Sequence, residues 1–248
     1  MKSNLENFLV TSPELEQLGF IKEGKNVLSP SDITSILNGR RTSLLTLQHI
    51  DGGSFRIERM QAKISLFQDA DNHISLRIHP VYYNPRYPDL LQDELAHLLL
   101  DRDEVSLLIH DHEHGYADRI FEFDFETREF LSYFPGQVEV PKAINAELLT
   151  AQQQKDFKSG KMITLSDGTH IQHRASETVG VIADRSKLIF SYVREDKAVH
   201  LLLEGIGTFP WKHLHQQPHE TTGFNRAMNQ LLQDKPIEVV NPSEARGR

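Results

Sequence analysis

The residues with the most chemistry in them are His110, Asp111, His112, Glu113 and His114. In an extended backbone alternate side chains share a face, so His110, His112 and His114 would project together while Asp111 and Glu113 point the other way. Neighbouring imidazoles of this kind can ligate zinc or nickel, and a metal-bound water would make the chemistry hydrolysis. Such a centre also needs a third or fourth ligand from elsewhere and a supporting layer of hydrogen bonds, and the sequence names neither. The same five residues precede Gly115 and separate two apolar runs, the composition of a hydrated connecting loop. The loop reading is preferred, and no metal is assigned. His213, His215 and His219 form a looser second group, and the His-Glu-x-x-His pattern is absent.

Other motifs fail on particular residues. Gly205-Ile206-Gly207 lacks the third glycine and the following helix of a dinucleotide fingerprint. Gly160-Lys161-Met162 ends in Met where a phosphate loop needs Ser or Thr, and no Gly-x-Ser-x-Gly elbow occurs. Carboxylate pairs such as Asp101 and Asp103 read as solvated loop charges. No catalytic residue and no cofactor is assigned.

The 248 residues contain no cysteine, which excludes disulfides, thiolate metal sites and cysteine nucleophiles and fits a reducing compartment. The net charge of −8 is unevenly spread. Residues 1–150 carry 14 Lys or Arg against 24 Asp or Glu, whereas residues 151–200 carry 8 against 6. An acidic first part repels phosphate backbones, so nucleic acid is not favoured as a partner. Residues 1–10 contain no long apolar run and do not read as a signal peptide. No stretch approaches the ~18 apolar residues of a membrane helix. The expectation is a cytoplasmic protein without a membrane partner.

The elements that would position these groups are short. Ser12-Pro13 and Ser29-Pro30 open two helices, the second ending at Asn38-Gly39 with Arg40 and Arg41 as solvated cations near its end. From Leu44 the period becomes two, and strands are expected over 44–48, 55–66 and 74–78, with a bulge or bend near Arg59-Met60. Residues 88–100 form the clearest amphipathic helix, with Leu91, Leu95, Leu98 and Leu99 on one face. Phe121, Phe123 and Phe125 line the core face of a hairpin that turns at Thr127-Arg128. Thr150 and Gln153 fit a capping box, Gly160 the left-handed residue after the helix. Strands at 161–165, 169–174, 179–183, 187–193 and 198–203 follow, then a short helix at 224–233.

Three stretches carry a resemblance. Leu15 to Gly19 with Leu37-Asn38-Gly39-Arg40-Arg41-Thr42 is similar to the opening of uncharacterised two-unit accessory proteins of conjugative transposons of gut anaerobes. The strand-turn-strand of residues 121–133, with Asp124, Thr127 and Glu129, resembles the close of that family's first domain of unknown function. Residues 149–165, with Gln153, Phe157, Gly160 and Lys161, resemble the opening of the second. The resemblance spans roughly residues 13–204 and implies a cytoplasmic accessory product of a mobile element, with no catalytic residue to transfer.

The sequence therefore reads as an α+β protein with antiparallel sheets and short helices, in two modules joined by a hinge helix. An N-terminal module spans 1–140, a β-rich module opened by the short helix spans 141–205, and a tail with a short helix spans 206–248. The function expected is a non-enzymatic accessory or protein-interaction module whose partner is another protein of the same element. Arg40, Arg41, Lys158 and Lys161 are the candidate partner contacts. The alternatives are a nucleic-acid-binding accessory of conjugation or DNA processing, and a metal-dependent hydrolase using His110, His112 and His114.

Overall fold

A computed structural model describes residues 8–9, 11–23, 25–51, 56–68, 73–85, 87–110, 117–194, 197–211, 213–234 and 238–240. The chain opens with helix α1 (Pro13–Gln17), the hairpin β1 (Ile21–Lys22) and β2 (Lys25–Asn26), and helix α2 (Pro30–Leu37). Both helices start as Ser-Pro demands: the Ser12 and Ser29 hydroxyls accept backbone N–H bonds and Pro takes the first helical position. Strands β3 (Leu45–Asp51), β4 (Arg56–Gln68) and β5 (Ile74–Pro80) then make an antiparallel meander with β4 central. The expected bulge at Arg59-Met60 is absent, since Leu45 pairs with Ala62 and Asp51 with Arg56 in one unbroken register. The shift of apolar phase has another cause: Ala62, Lys63 and Ile64 are all buried, so both faces of β4 are covered there.

Helix α3 (Asp93–Leu100) packs its Ala96 and Leu99 against Phe121 and Phe123 of the second sheet. That sheet is β6 (Ser106–Ile109), β7 (Arg119–Asp124) and β8 (Glu129–Tyr133), with β7 central. A short hairpin, β9 (Ala143–Ile144) and β10 (Glu147–Leu148), precedes helix α4 (Ala151–Lys158). Thr150 and Gln153 form the anticipated reciprocal cap, and Gly160 follows at φ +72°. Strands β11 (Ile163–Thr164), β12 (His170–His173) and β13 (Val181–Ala183) form a third sheet. The largest sheet has the order β10-β9-β14-β15-β16, with β14 (Lys187–Arg194), β15 (Lys197–Glu204) and β16 (Glu238–Val240). Helix α5 (Thr222–Asp234) lies between β15 and β16 in the chain, a crossover that makes β15 and β16 the one parallel pair among the described strands. The architecture is thus α+β, dominated by antiparallel sheets with short helices.

The main core is formed by the second half of the chain, where Phe157 of α4 packs with Ile144, Ile171, Leu188 and Phe190. Burying a side chain such as Phe157 stabilises by about 1.5–3 kcal/mol, and Phe157 is 1% exposed. Among the described residues no helix is long and apolar enough to cross a membrane.

Candidate functional site

A cleft of about 520 Å³ opens where these sheets meet. One wall is β8, from Glu129 to Tyr133, and a second is formed by Ser65, Leu66 and Phe67 of β4 with Arg77 and His79 of β5. Phe157, His173 and Phe190 lie deeper, and Arg40 and Gly180 close one side.

Beneath the cleft lies a buried polar seam that joins β4 and β7 to residues 173–178. Glu122, fully buried on β7, accepts the Tyr133 hydroxyl at Oε1. It also accepts the N–H groups of Ala175 (3.0 Å) and Ser176 (3.1 Å). Since Tyr133 gives its only proton to Glu122, its oxygen is the acceptor toward His173 Nδ1 at 3.1 Å. That assigns the His173 proton to Nδ1 and leaves Nε2 with its lone pair. Burial, with the Arg40 charge adding to it, holds His173 at about 3, so the ring is neutral. Burial and the Glu122 carboxylate push the Tyr133 phenol well above its ordinary range.

Ion pairs run from this triad toward the surface, Lys63 and Asp124 being buried, Glu129 partly exposed and Glu126 exposed. Lys63 Nζ lies 2.9 Å from Asp124 Oδ2 and 3.0 Å from Glu126 Oε2, and donates to the Ser176 carbonyl at 3.0 Å. Arg41 donates to Glu129 Oε2 at 2.6 Å and lies 3.6 Å from Asp124. Burial alone would raise Glu129, but the His79 hydrogen bond and the Arg41 and His79 charges outweigh it and keep the carboxyl below its usual range. Arg174 Nη2 donates to the Phe123 carbonyl at 2.8 Å. Arg40 Nε and Ser35 Oγ both donate to the Thr178 carbonyl, at 3.0 and 2.8 Å.

The residues singled out from sequence are distributed differently. Arg41 is 9% exposed and ion-paired, and Arg40 is partly buried against Thr178, which corrects the reading of both as solvated cations. Both nonetheless line the cleft. Lys158 and Lys161 are exposed at the end of α4 and are not part of the cleft. His110 is exposed, with Nδ1 3.0 Å from Asp118, while His112 and His114 fall outside the described residues. Among the described residues no group of three or more His, Asp or Glu is placed to hold a metal ion.

Lys63, Glu122, Tyr133 and His173 went unnoticed in the sequence. Lys63 sits between Ala62 and Ile64, and Glu122 between Phe121 and Phe123. In an alternating strand, such charges look like the solvent face.

The fold and cleft describe an α+β protein with a polar-floored groove. Residues 10–89 match the model of a family described as a protein of unknown function, DUF4099. The match contains the Leu15 to Gly19 and Leu37 to Thr42 stretches and ends before β6; it carries no activity and no link to a mobile element. No curated protein and no solved structure matches the chain.

Proposed function

We propose that this chain is a non-enzymatic accessory protein that holds an extended segment of a partner protein in the cleft. The observation that carries this reading is the edge position of β8. It pairs with β7 alone among the described strands, while residues Glu129 to Tyr133 form the cleft wall. A free strand edge supplies backbone donors and acceptors at a repeat that any extended peptide matches, with side-chain pockets giving selectivity. The state of the titratable groups supports binding over catalysis. A general acid or base works best with a pKa near the operating pH, whereas His173 is held at about 3 and Tyr133 is pushed well above 10.

The resemblance to accessory proteins of conjugative transposons makes the partner another protein of such an element, and the compartment the cytoplasm. A photo-crosslinking amino acid at Ser132 of β8 tests the reading in cells that carry the element. A discrete protein adduct is expected from Ser132 and none from Lys158, which is exposed outside the cleft. Adducts from Lys158 alone would sink it.

A further inference from the structure

A second, smaller cavity of about 140 Å³ lies at the amino end of α5, away from the cleft. Asn145, 2% exposed, forms part of its wall. Its backbone N–H donates to the Ile189 carbonyl at 2.8 Å, and its Oδ1 accepts the Ile189 N–H at 3.0 Å. Those bonds fix the amide and turn Nδ2 away from the β14 backbone, and Nδ2 has no acceptor among the described residues. Arg185 lines the same cavity, and its Nε also lacks an acceptor, the nearest Asp184 oxygen being 4.0 Å away. Thirteen-residue α5 adds the positive end of its dipole, its Phe224 and Asn225 N–H groups being taken by Thr221 Oγ1 at 3.1 Å and the Thr221 carbonyl at 3.0 Å. Gly223 allows the close approach: a Cβ there would meet the Asn145 carbonyl at 3.1 Å and Asp167 Oδ2 at 3.2 Å.

We propose that this cavity binds a carboxylate, one oxygen on Asn145 Nδ2 and the other on the Arg185 guanidinium. Two buried donors without acceptors beside a helix start call for an anionic oxygen. The other charges decide which anion. Lys187 is spent on Glu204 at 2.9 Å, Glu220 lines the cavity, Asp184 Oδ1 lies 4.0 Å from Arg185 Nε, and Asp167, which stands against Gly223 and accepts from Thr221, already draws on the Arg185 charge. Three carboxylates so close disfavour a dianion such as phosphate, whereas a planar monoanion bridges the two donors. The carboxylate of a small acid and the free C-terminus of a peptide share this chemistry.

Titration of the full chain with acetate, with N-acetylglycine as a peptide-end mimic, and with inorganic phosphate, followed by NMR at the Asn145 side-chain amide and the Gly223 N–H, distinguishes them. Saturable shifts with acetate or N-acetylglycine are expected, with phosphate at least roughly tenfold weaker. Tighter N-acetylglycine assigns the site to a peptide end, and tighter acetate to a small acid. Asn145→Asp keeps the Oδ1 acceptor for Ile189 and should abolish saturation. Should that variant not fold, Arg185→Gln carries the test and should weaken binding roughly tenfold. No saturable shift with either carboxylate, tighter binding of phosphate, or wild-type affinity in the folded variants would overturn the proposal.

Discussion

His173 shows how one side chain couples the seam to pH. Its folded pKa of about 3 lies below the ordinary 6.5, so the unfolded chain takes up the proton first on acidification. The stability it contributes is complete above pH 6.5 and is lost as pH falls toward 3, at up to ~1.4 kcal/mol per unit. Urea denaturation should therefore show the wild type losing about 2 kcal/mol more than His173→Gln between pH 7.5 and pH 5; equal losses would show a ring that is protonated in the fold. Tyr133→Phe removes the hydroxyl between Glu122 and His173 and leaves a buried carboxylate short of one donor, a loss of about 1–3 kcal/mol by the same measurement. Neither residue was legible in the sequence. Tyr133 meets His173 across 40 positions, and no local spacing records such a meeting.

Elements governed by neighbouring residues were far more legible. The cap of Thr150 and Gln153, the helix it opens and the left-handed Gly160 all follow from side chains within three positions or from a backbone angle only glycine adopts freely. The strands after it were also readable, because their alternation is local. The role of Gly160 goes beyond its φ. A Cβ there would meet Ser106 Oγ at 2.9 Å and the Ile120 side chain at 3.2 Å, whereas Gly168, at φ +81°, faces open space. Gly160→Ala should cost ~2–4 kcal/mol, from strain plus overpacking, and Gly168→Ala only ~1–2 kcal/mol. Thermal melts of the two variants compare these directly, and equal shifts would show that β6 and α4 are not in close contact. The helix at 88–100 was legible in its apolar face but not in its start, which lies at Asp93.

At the scale of the whole molecule, the seam should make residues 1–140 and 141–205 unfold together. Removing Lys63 leaves the buried Asp124 with the Glu126 and Thr127 N–H donors and, as its remaining cation, Arg41 at 3.6 Å, so Lys63→Met should cost ~3–5 kcal/mol. Trp211, the only tryptophan, donates to the carbonyls of Arg102 and Asp103 and so reports on the contact between that segment and the end of the chain that carries it. Its fluorescence and far-ultraviolet circular dichroism should melt in one transition, and a fluorescence change well below the dichroism midpoint would separate the two parts. The acidic balance of residues 1–150 bears on the nucleic-acid alternative: a gel shift at physiological salt should show no tight DNA complex. The seam has a temporal side as well. Glu122 leaves the ribosome 53 residues before Ala175, which donates to it. At ~5–20 residues per second this carboxylate waits roughly 3–10 s for its backbone donors. Throughout that interval the first two sheets present a hydrated acid and a half-covered β4 where the finished protein has a buried junction. Contacts that must wait for distant chain form late and slow the folding reaction. Nascent chains stalled before residue 175 are therefore the species on which a chaperone would act.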